Sequence, residues 1–306
     1  MRKANNLQHH INKKYVRGFT PLEVGRVRKR PRLLTGFTLL ELLIVIGIIG
    51  ILSSVTIVSY SYSYYSAQAR LANTLRFAQS MRSALQDNMV AWWTFDETSG
   101  STSTDNWLNG LNGRVYGAVW TEGIVNNALS FDGIDDYVDF GNPAFFPVTG
   151  NVTIAFWAYP SNYALRRQNP ICKAYGGEFC MTMEPDSSVH LYYGTAGGNS
   201  SPYTYSTWPV GTLVNKKWVH LVWVKDALNN QVFAYKDGKI VQTTSCGSYC
   251  YTKPSSLNLL VGNGYAGRYV GLIDDVQIYN TALSAHAIYQ LYARGAQKHQ
   301  PLSLQQ

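Results

Sequence analysis

The chain has 306 residues, with 26 Lys and Arg against 18 Asp and Glu, so its formal net charge is +8. Residues 1–36 contain ten basic residues and one acidic residue, and subtracting this +9 from the total leaves −1 for the remainder. A near-neutral body lacks the positive field that phosphate-backbone binding needs, which argues against a nucleic-acid partner. Only 14% of the residues are charged, while the chain has 22 Tyr and 8 Trp, a composition that excludes a disordered protein.

The first predicted element is a membrane helix. From Leu42 to Ala69 the chain has no charged residue, a stretch long enough to cross a bilayer as a helix. Basic residues precede it, so the positive-inside rule predicts that residues 1–36 are cytoplasmic and that the rest of the chain is extracytoplasmic. No small-residue cleavage site follows Leu52, which indicates that the span is retained. Hydropathy alone fits a plain single-pass anchor equally well.

The start of the span carries a specific pattern, Thr35-Gly36-Phe37-Thr38-Leu39-Leu40-Glu41. Glu41 is a carboxylate just inside the apolar stretch, where a charge is costly unless it is paired. Cleavage between Gly36 and Phe37 would give Phe37 an α-ammonium group one helical turn from Glu41. We expect this pair to form within one subunit or between neighbours.

This segment resembles the N-terminus of type IV prepilins and pseudopilins. The resemblance implies that a prepilin peptidase cuts after Gly36 and methylates Phe37, and that Glu41 guides assembly into a filament with other pilin-like subunits. Two features differ from the family: the leader is unusually long, and the Pro that often kinks the helix of major pilins is absent. The missing Pro leaves open whether the chain is a major subunit.

The helix is predicted to continue beyond the membrane. Apolar residues recur every three or four positions after the span, at Ala67, Leu71, Leu75, Ala78, Met81 and Leu85. This spacing predicts an amphipathic helix. We therefore expect one helical segment over residues 37–89, half in the membrane and half against a globular domain or neighbouring subunits.

From residue 90 the pattern changes to short alternating runs. Residues 218–224 and 231–235 have a period of two, and Asp237-Gly238 is a strong signal for a tight hairpin turn. About 200 residues of such runs predict one β-sandwich over residues 90–294. Residues 283–291 are expected to form a short closing helix, followed by a flexible tail over residues 295–306.

Several phrases in this region resemble laminin-G-like domains of the concanavalin A-like lectin/glucanase superfamily. They are residues 90–97 (VAWWTFDE), 128–138 (ALSFDGIDDYV), 218–221 (WVHL), 236–238 (KDG) and 271–279 (GLIDDVQIY). The resemblance implies a mainly β fold, a jelly-roll sandwich preceded by one long α-helix. Because this fold carries lectins, enzymes and adhesive modules, it does not by itself give the ligand.

The sequence argues against an enzyme. Glucanases of this fold use a Glu-x-Asp-x-x-Glu arrangement, in which two carboxylates flank the glycosidic bond. The nearest match, Glu184-Pro185-Asp186-Ser187-Ser188-Val189, ends in Val where the second Glu should stand. No Ser/His/Asp or Cys/His signature is present, and His220 is expected to be a hydrogen-bonded core residue.

The predicted last strand carries two adjacent carboxylates. Alternation places Leu272, Asp274, Val276 and Ile278 on its inward face, and an inward carboxylate needs a partner. Related domains often hold a structural Ca²⁺ between an acidic residue near their N-terminus and one on this strand. That resemblance makes Asp96 and Asp274 candidate ligands, with Asp275 as the alternate. A carboxylate satisfied by backbone N–H groups is an equally good interpretation.

The aromatic residues have two interpretations. One group lies in sequence rich in Gly and Ser and is typical of a sugar-binding face: Tyr192, Tyr193, Tyr203, Tyr205 and Trp208. Another group, Trp93, Trp157 and Trp223, alternates with strand residues and is expected to pack in the core.

Four cysteines are predicted to lie outside the membrane, where disulfides persist. Three pairings exist for four cysteines. Cys172 and Cys180 flank Tyr175-Gly176-Gly177-Glu178 as opposed hairpin positions would, and Cys246 and Cys250 close a small loop. We expect Cys172–Cys180 and Cys246–Cys250 bonds.

Taken together, the sequence favours a type IV pilin-like subunit, minor or tip, that displays a lectin-like domain at the cell surface for adhesion to a glycan or a surface protein. The alternative is a membrane-anchored binding protein, or a secretion-system pseudopilin, that joins no surface filament. Both interpretations place the chain in the cytoplasmic membrane before any assembly.

Overall fold

The computed structural model describes residues 37–107, 110–143 and 149–298, except for the side chains of residues 63, 67, 73–84 and 298. The expected leader, residues 1–36 with Gly36, lies outside the described residues, as do residues 299–306. The chain divides into two compact units, Met1–Ala69 and Arg70–Gln306.

Helix α1 (Leu39–Asp87, 49 residues) matches the predicted helical segment. Its first part is rich in Leu and Ile and also contains hydroxyl groups that need partners in an apolar environment. The hydroxyls of Ser53, Ser54 and Thr56 donate to backbone carbonyls one turn earlier, at 2.6, 2.7 and 2.8 Å. These bonds satisfy the polar side chains within the helix itself.

The described residues after α1 form sixteen strands and a second helix, α2 (Ala285–Lys298). The strands are β1 (Met89–Trp93), β2 (Thr102–Ser103), β3 (Gly113–Tyr116), β4 (Val119–Glu122), β5 (Asn127–Asp132), β6 (Tyr137–Asp139), β7 (Val152–Pro160), β8 (Ile171–Cys172), β9 (Cys180–Met183), β10 (Val189–Gly194), β11 (Tyr203–Trp208), β12 (Val219–Asp226), β13 (Gln231–Lys236), β14 (Lys239–Thr244), β15 (Leu260–Val261) and β16 (Val270–Tyr279).

The strands form two antiparallel sheets. The first sheet has the order β14-β13-β12-β7-β16-β5-β4, with β1 also paired to β16. The second has the order β11-β10-β9-β8-β15-β6-β3-β2. Strands distant in sequence, such as β7 and β16, are hydrogen-bonded neighbours. The predicted jelly-roll sandwich is confirmed.

The main core includes inward side chains from both sheets. Trp93 and Trp223 are completely buried in it, as their alternation predicted. Along β7, Ile154 and Phe156 belong to this core, whereas Trp157 does not. Trp157 is buried on the opposite face, where it stacks on a residue of α2, so it packs as expected but outside the main core.

A second apolar cluster lies between the outer face of the first sheet and α2. It includes Val222 and Tyr279 from the sheet and Ile288 and Leu291 from the helix, and Leu85 at the end of α1 packs against it. The helix runs to Lys298, so residues 295–298 form its last turn and do not belong to a flexible tail. Both faces of the first sheet are therefore covered at this position.

Candidate functional site

The N-terminus of α1 is closed by a reciprocal pair of hydrogen bonds. The backbone N–H and the hydroxyl of Thr38 both donate to the Glu41 carboxylate at 2.9 Å. In return, the Glu41 backbone N–H donates to the Thr38 hydroxyl at 3.3 Å. This is a capping box, which satisfies two backbone donors that a helix start leaves without partners. Phe37, the expected first mature residue, is exposed immediately before it.

One helix in the described residues is long and apolar enough to cross a membrane, Leu39–Ala72, with 34 residues. Its large apolar side chains are exposed along its length. Four exposed tyrosines stand near its C-terminal end: Tyr60, Tyr62, Tyr64 and Tyr65. Tyrosines concentrate at membrane–water interfaces, so their position fits one boundary of a bilayer.

Both expected disulfides are present, Cys172–Cys180 and Cys246–Cys250, and the described residues contain no free cysteine. Cys172 and Cys180 face each other across the paired strands β8 and β9. This is the hairpin relationship that their spacing predicted.

Asp274 is the most deeply buried of the three candidate metal ligands. Its Oδ2 accepts hydrogen bonds from the backbone N–H groups of Ile124 (3.0 Å) and Val125 (2.9 Å). Its Oδ1 is buried and has no hydrogen-bond partner among the described residues. Burial, together with the carboxylates of Asp275 and Asp96, raises the pKa of Asp274 to about 8.

A β-bulge explains why Asp274 is buried and its neighbour Asp275 is half-buried on the same strand. The pairing of β16 with β7 shifts register between Asp274 and Gln277, and Asp275 has a left-handed φ of 50°. Ile273 and Val276 belong to the main core, and the two aspartates between them do not. The bulge also corrects the predicted inward face, because Leu272 is outside the core and Ile273 is inside it.

Asp275 is already satisfied by neighbouring donors. Its Oδ1 accepts from the Trp92 indole N–H and its Oδ2 accepts from the Gln277 amide at 2.9 Å. Asp96 accepts weaker bonds of 3.2 Å from the Asn127 backbone and the Asn126 side chain. The unpartnered oxygen of Asp274 beside the Asp96 carboxylate fits the oxygen ligands that Ca²⁺ prefers.

A second carboxylate cluster was not singled out from the sequence. Ligand oxygens of Asp132, Asp135 and Asp136 lie within 4.8 Å of one another. Backbone bonds hold this turn, with Asp132 N–H donating to Asp136 at 2.8 Å and Ile134 N–H donating to Asp132 at 2.7 Å. The sequence signal was the Asp-Gly-Ile-Asp-Asp phrase itself, which the fold uses as a tight connection between β5 and β6.

The outer face of the second sheet carries an aromatic surface, here called the tyrosine ladder: His190, Tyr192, Tyr203 and Tyr205. His190 stacks on Tyr205 with ring centroids 4.8 Å apart and an interplanar angle of 19°. The ring centroid of Tyr192 lies 5.2 Å from that of Tyr205 and 5.8 Å from that of Tyr203. Tyr203 and Tyr205 are exposed, as a ligand-stacking surface requires.

Two aromatic residues expected on that face point the other way. Tyr193 and Trp208 are buried in the main core, at 1% and 0% exposure. Their sequence looked loop-like, but they lie in β10 and β11, where alternate residues face opposite sides of the sheet.

A cleft adjoins the ladder and adds charged groups to it. Arg167 donates from Nε to both oxygens of Glu184 at 3.0 Å and from Nη2 to the Tyr192 hydroxyl at 2.9 Å. Asp186 and His190 also line this cavity of about 380 Å³. Burial lowers the pKa of His190, although the nearby Glu184 carboxylate opposes the shift. The cleft therefore offers a guanidinium, carboxylates and flat rings on one surface.

The family model for the concanavalin A-like lectin/glucanases superfamily, a laminin-G-type model, matches residues 132–289. The chain belongs to this superfamily. The matched region contains the tyrosine ladder, both disulfides, the bulged strand β16 and most of the sandwich.

The N-terminal part of the chain matches type IV pilins. The major pilin PilE1 of Neisseria gonorrhoeae is 29% identical over 101 residues, which cover 33% of this chain and 55% of that protein. PilE of the same organism is 34% identical over 77 residues, which cover 24% of this chain and 45% of that protein. Fimbrial protein EcpC of Eikenella corrodens is 28% identical over 132 residues, which cover 42% of this chain and 82% of that protein. The chain spans about half the length of the PilE1 and PilE proteins.

Solved structures share the fold of the sandwich. The binding domain of botulinum neurotoxin serotype D has a TM-score of 0.55 at 13% identity, covering 69% of this chain and 52% of that chain. A second structure is domain 4 of AbnA, an extracellular arabinanase of Geobacillus stearothermophilus, in complex with arabinotriose. It has a TM-score of 0.52 at 16% identity, and the match covers 67% of this chain and 98% of that chain.

The relatives of the N-terminal part are pilins, and the solved structures similar to the sandwich include a toxin binding domain. The carboxylate nearest to a glucanase pattern, Glu184, is held in an ion pair with Arg167 at 3.0 Å. Its position in the turn between β9 and β10 differs from the one-strand arrangement of the glucanase pair.

Proposed function

We propose that the chain is a minor or tip subunit of a type IV pilus-like filament and that its lectin-like domain mediates adhesion. One observation carries this proposal: a single chain joins an exposed apolar helix that begins with the Phe37–Glu41 motif to a sandwich of the concanavalin A-like superfamily. A domain of about 200 residues would crowd a tightly packed shaft, which favours a minor or tip position.

The N-terminal segment directs export and assembly in this proposal. A prepilin peptidase cuts between Gly36 and Phe37 and methylates the new N-terminus, while residues 1–36 remain in the cytoplasm. The Glu41 carboxylate, which caps its own helix through Thr38, then pairs with the α-ammonium of Phe37 in the same subunit or in a neighbour. The pairing neutralises a charge that apolar surroundings would otherwise penalise.

The tyrosine ladder is the proposed glycan-binding surface. Tyr203 and Tyr205 expose flat rings for stacking, and Arg167 and Glu184 lie beside them to bond with sugar hydroxyls. The network among Arg167, Glu184 and Tyr192 fixes these groups before a ligand arrives, which reduces the entropy lost on binding.

The ladder is tested with the full chain in detergent micelles on a glycan array. Tyr205→Ala should abolish binding to the neutral glycans that the wild type retains, because it removes the exposed stacking ring. Tyr251→Ala, which removes another exposed tyrosine that is not part of the ladder, is the matched control and should bind normally. Binding of neutral glycans that survives Tyr205→Ala and Tyr203→Ala would exclude the ladder, and no binding across the array would exclude glycan adhesion.

A structural Ca²⁺ is the second part of the proposal. Asp274 Oδ1 and the Asp96 carboxylate would hold the ion, and Asp275, whose oxygens accept bonds from Trp92 and Gln277, is the alternate ligand. The ion would favour the ionised form of Asp274, whose pKa burial raises to about 8, and would fix the loop between β4 and β5, whose Ile124 and Val125 already bind the same carboxylate.

A further inference from the structure

A cavity of about 580 Å³ lies on the outer face of the first sheet, beside α2. Its volume is in the range of pockets that take small ligands. The tyrosine ladder lies on the outer face of the other sheet. An inference about this cavity therefore goes beyond the proposed function and can fail independently of it.

Aromatic rings form the walls of the cavity. Trp157 and Tyr292 stack with centroids 5.6 Å apart, and Tyr159 and Trp218 lie 5.4 Å apart. Trp157 is buried, and its ring centroid lies 4.9 Å from that of His220. The Trp157 side chain is therefore held in place by its neighbours. Trp218 and Tyr159 are half-buried and present ring surface to the cavity. Such surfaces suit the apolar face of a pyranose ring.

Two adjacent lysines stand at the edge of this aromatic wall. Lys216 and Lys217 line the cavity, are exposed, and form no ion pair among the described residues. The loop that carries them is held in place, because Lys216 adopts a left-handed φ of 59° and donates its backbone N–H to Pro160 at 2.8 Å. A left-handed conformation is uncommon for Lys and persists where surrounding structure imposes it.

The remaining polar groups allow hydroxyl recognition. Asp237 lines the cavity and accepts the His220 backbone N–H through Oδ1 at 3.0 Å. With two lysines and one aspartate, the lining has a net charge of +1. The indole N–H of Trp157 is buried beside Gly295 of α2, so Asp237 is the acceptor that the cavity offers a ligand.

We propose that this cavity binds a saccharide that carries a carboxylate. The pyranose ring packs on Trp218 and Tyr159, the carboxylate pairs with Lys216 and Lys217, and Asp237 accepts a ring hydroxyl. A neutral sugar would leave both ammonium groups without a partner, so the charge selects the acidic ligand.

The test uses the full chain in detergent micelles, labelled with 5-fluorotryptophan and observed by fluorine NMR. The signals of Trp157 and Trp218 are assigned with Trp157→Phe and Trp218→Phe variants. The probes are the methyl glycosides of glucuronate and galacturonate and their neutral partners, methyl glucoside and methyl galactoside. Each is added to about 10 mM, a concentration that saturates a site with millimolar affinity.

We expect at least one uronate to shift the Trp218 signal saturably. Its neutral partner should have an affinity at least about tenfold lower. A Lys216→Gln/Lys217→Gln variant with an unchanged fluorine spectrum should lose about tenfold in affinity, whereas Lys253→Gln, the same kind of change at a lysine outside the cavity lining, should not. Tyr205→Ala should leave this signal unaffected. The proposal is overturned if no uronate shifts Trp218, if the neutral sugars bind equally well, or if the double variant retains full affinity.

Discussion

Trp157 on β7 and Tyr292 on α2 stack with their ring centroids 5.6 Å apart and an interplanar angle of 26°. This contact joins the outer face of the first sheet to the C-terminal helix, which makes α2 part of the sandwich domain. Gly295 permits the close approach, since a Cβ there would lie 2.5 Å from the Trp157 indole nitrogen.

The stacking predicts that Tyr292→Ala lowers the free energy of unfolding by about 1–2 kcal/mol, from the lost ring contact and the lost apolar burial. Tyr289→Ala removes a ring from the exposed side of the same helix and should change stability by less than about 0.5 kcal/mol. Urea denaturation measures both. Equal effects from the two variants would contradict the assigned packing.

His220 predicts a pH dependence of stability. Burial lowers the pKa of its imidazole from 6.5 to about 3. Between these values the unfolded chain takes up a proton that the folded chain does not, so the unfolded state gains stability as the pH falls. The free energy of unfolding should drop by about 1.6 kcal/mol from pH 6.5 to pH 5 through this residue alone.

The measurement compares denaturation curves of the wild type and His220→Phe at several pH values. The free energy of unfolding should depend less steeply on pH in His220→Phe than in the wild type, whatever the absolute stability of the variant. His286→Gln, at an exposed position of α2, should retain the wild-type slope. A wild-type slope in His220→Phe would show that other groups cause the pH dependence.

The calcium proposal predicts that millimolar Ca²⁺ raises the melting temperature of the full chain at pH 7.5 and that a chelator reverses the effect. Asp274→Asn should remove the response, because it replaces the ligand carboxylate with a neutral amide. Asp135→Asn, in the separate acidic turn, is the control and should respond as the wild type does. A melting temperature indifferent to both Ca²⁺ and chelator would leave Asp274 as a carboxyl satisfied by backbone donors.

The Cys172–Cys180 bond lies under the tyrosine ladder, because Tyr175 packs on it and Tyr192 packs against the same cluster. Replacing both cysteines with Ser should cost roughly 2–3 kcal/mol of stability by the loop-entropy estimate and should weaken glycan binding. The equivalent Cys246/Cys250 variant should cost roughly 2 kcal/mol and leave binding intact. Glycan binding that is equally weak in both variants would argue against a local role for the first bond.

Glu41 has two separable roles, as a helix cap and as a charge. Glu41→Gln keeps a side-chain acceptor for the Thr38 N–H and removes the charge. If the charge directs assembly, both Glu41→Gln and Glu41→Ala should be processed normally and be absent from filaments, as immunoblots of sheared material would show. Normal incorporation of Glu41→Gln would reduce the role of Glu41 to capping.

Local patterns were sufficient to predict much of this molecule. The period of apolar residues predicted α1, and alternation predicted that Trp93 and Trp223 are buried in the core. The spacing of Cys172 and Cys180 predicted their disulfide bond. Each of these signals arises between residues that are close in sequence, where helix and hairpin geometry leave few options.

The remaining features depend on packing between distant segments. Alternation could not assign a side to Trp157, because α2 covers the second face of its sheet and both faces are apolar there. The bulge at Asp275 moved Ile273 inward in place of Leu272, and a single inserted residue leaves no signal in the period of a strand. The cavity between Trp218 and Tyr292 exists only once the sheet and α2 have packed.

The central claim is that this chain is a processed filament subunit that carries a binding domain. Mass spectrometry of appendages sheared from the cell, beside the membrane fraction, tests it most directly. The account predicts a peptide in the sheared material that begins at a methylated Phe37. A Phe37 peptide confined to membranes would contradict the filament role and indicate an anchored binding protein or pseudopilin, and a chain that retains residues 1–36 would contradict processing itself.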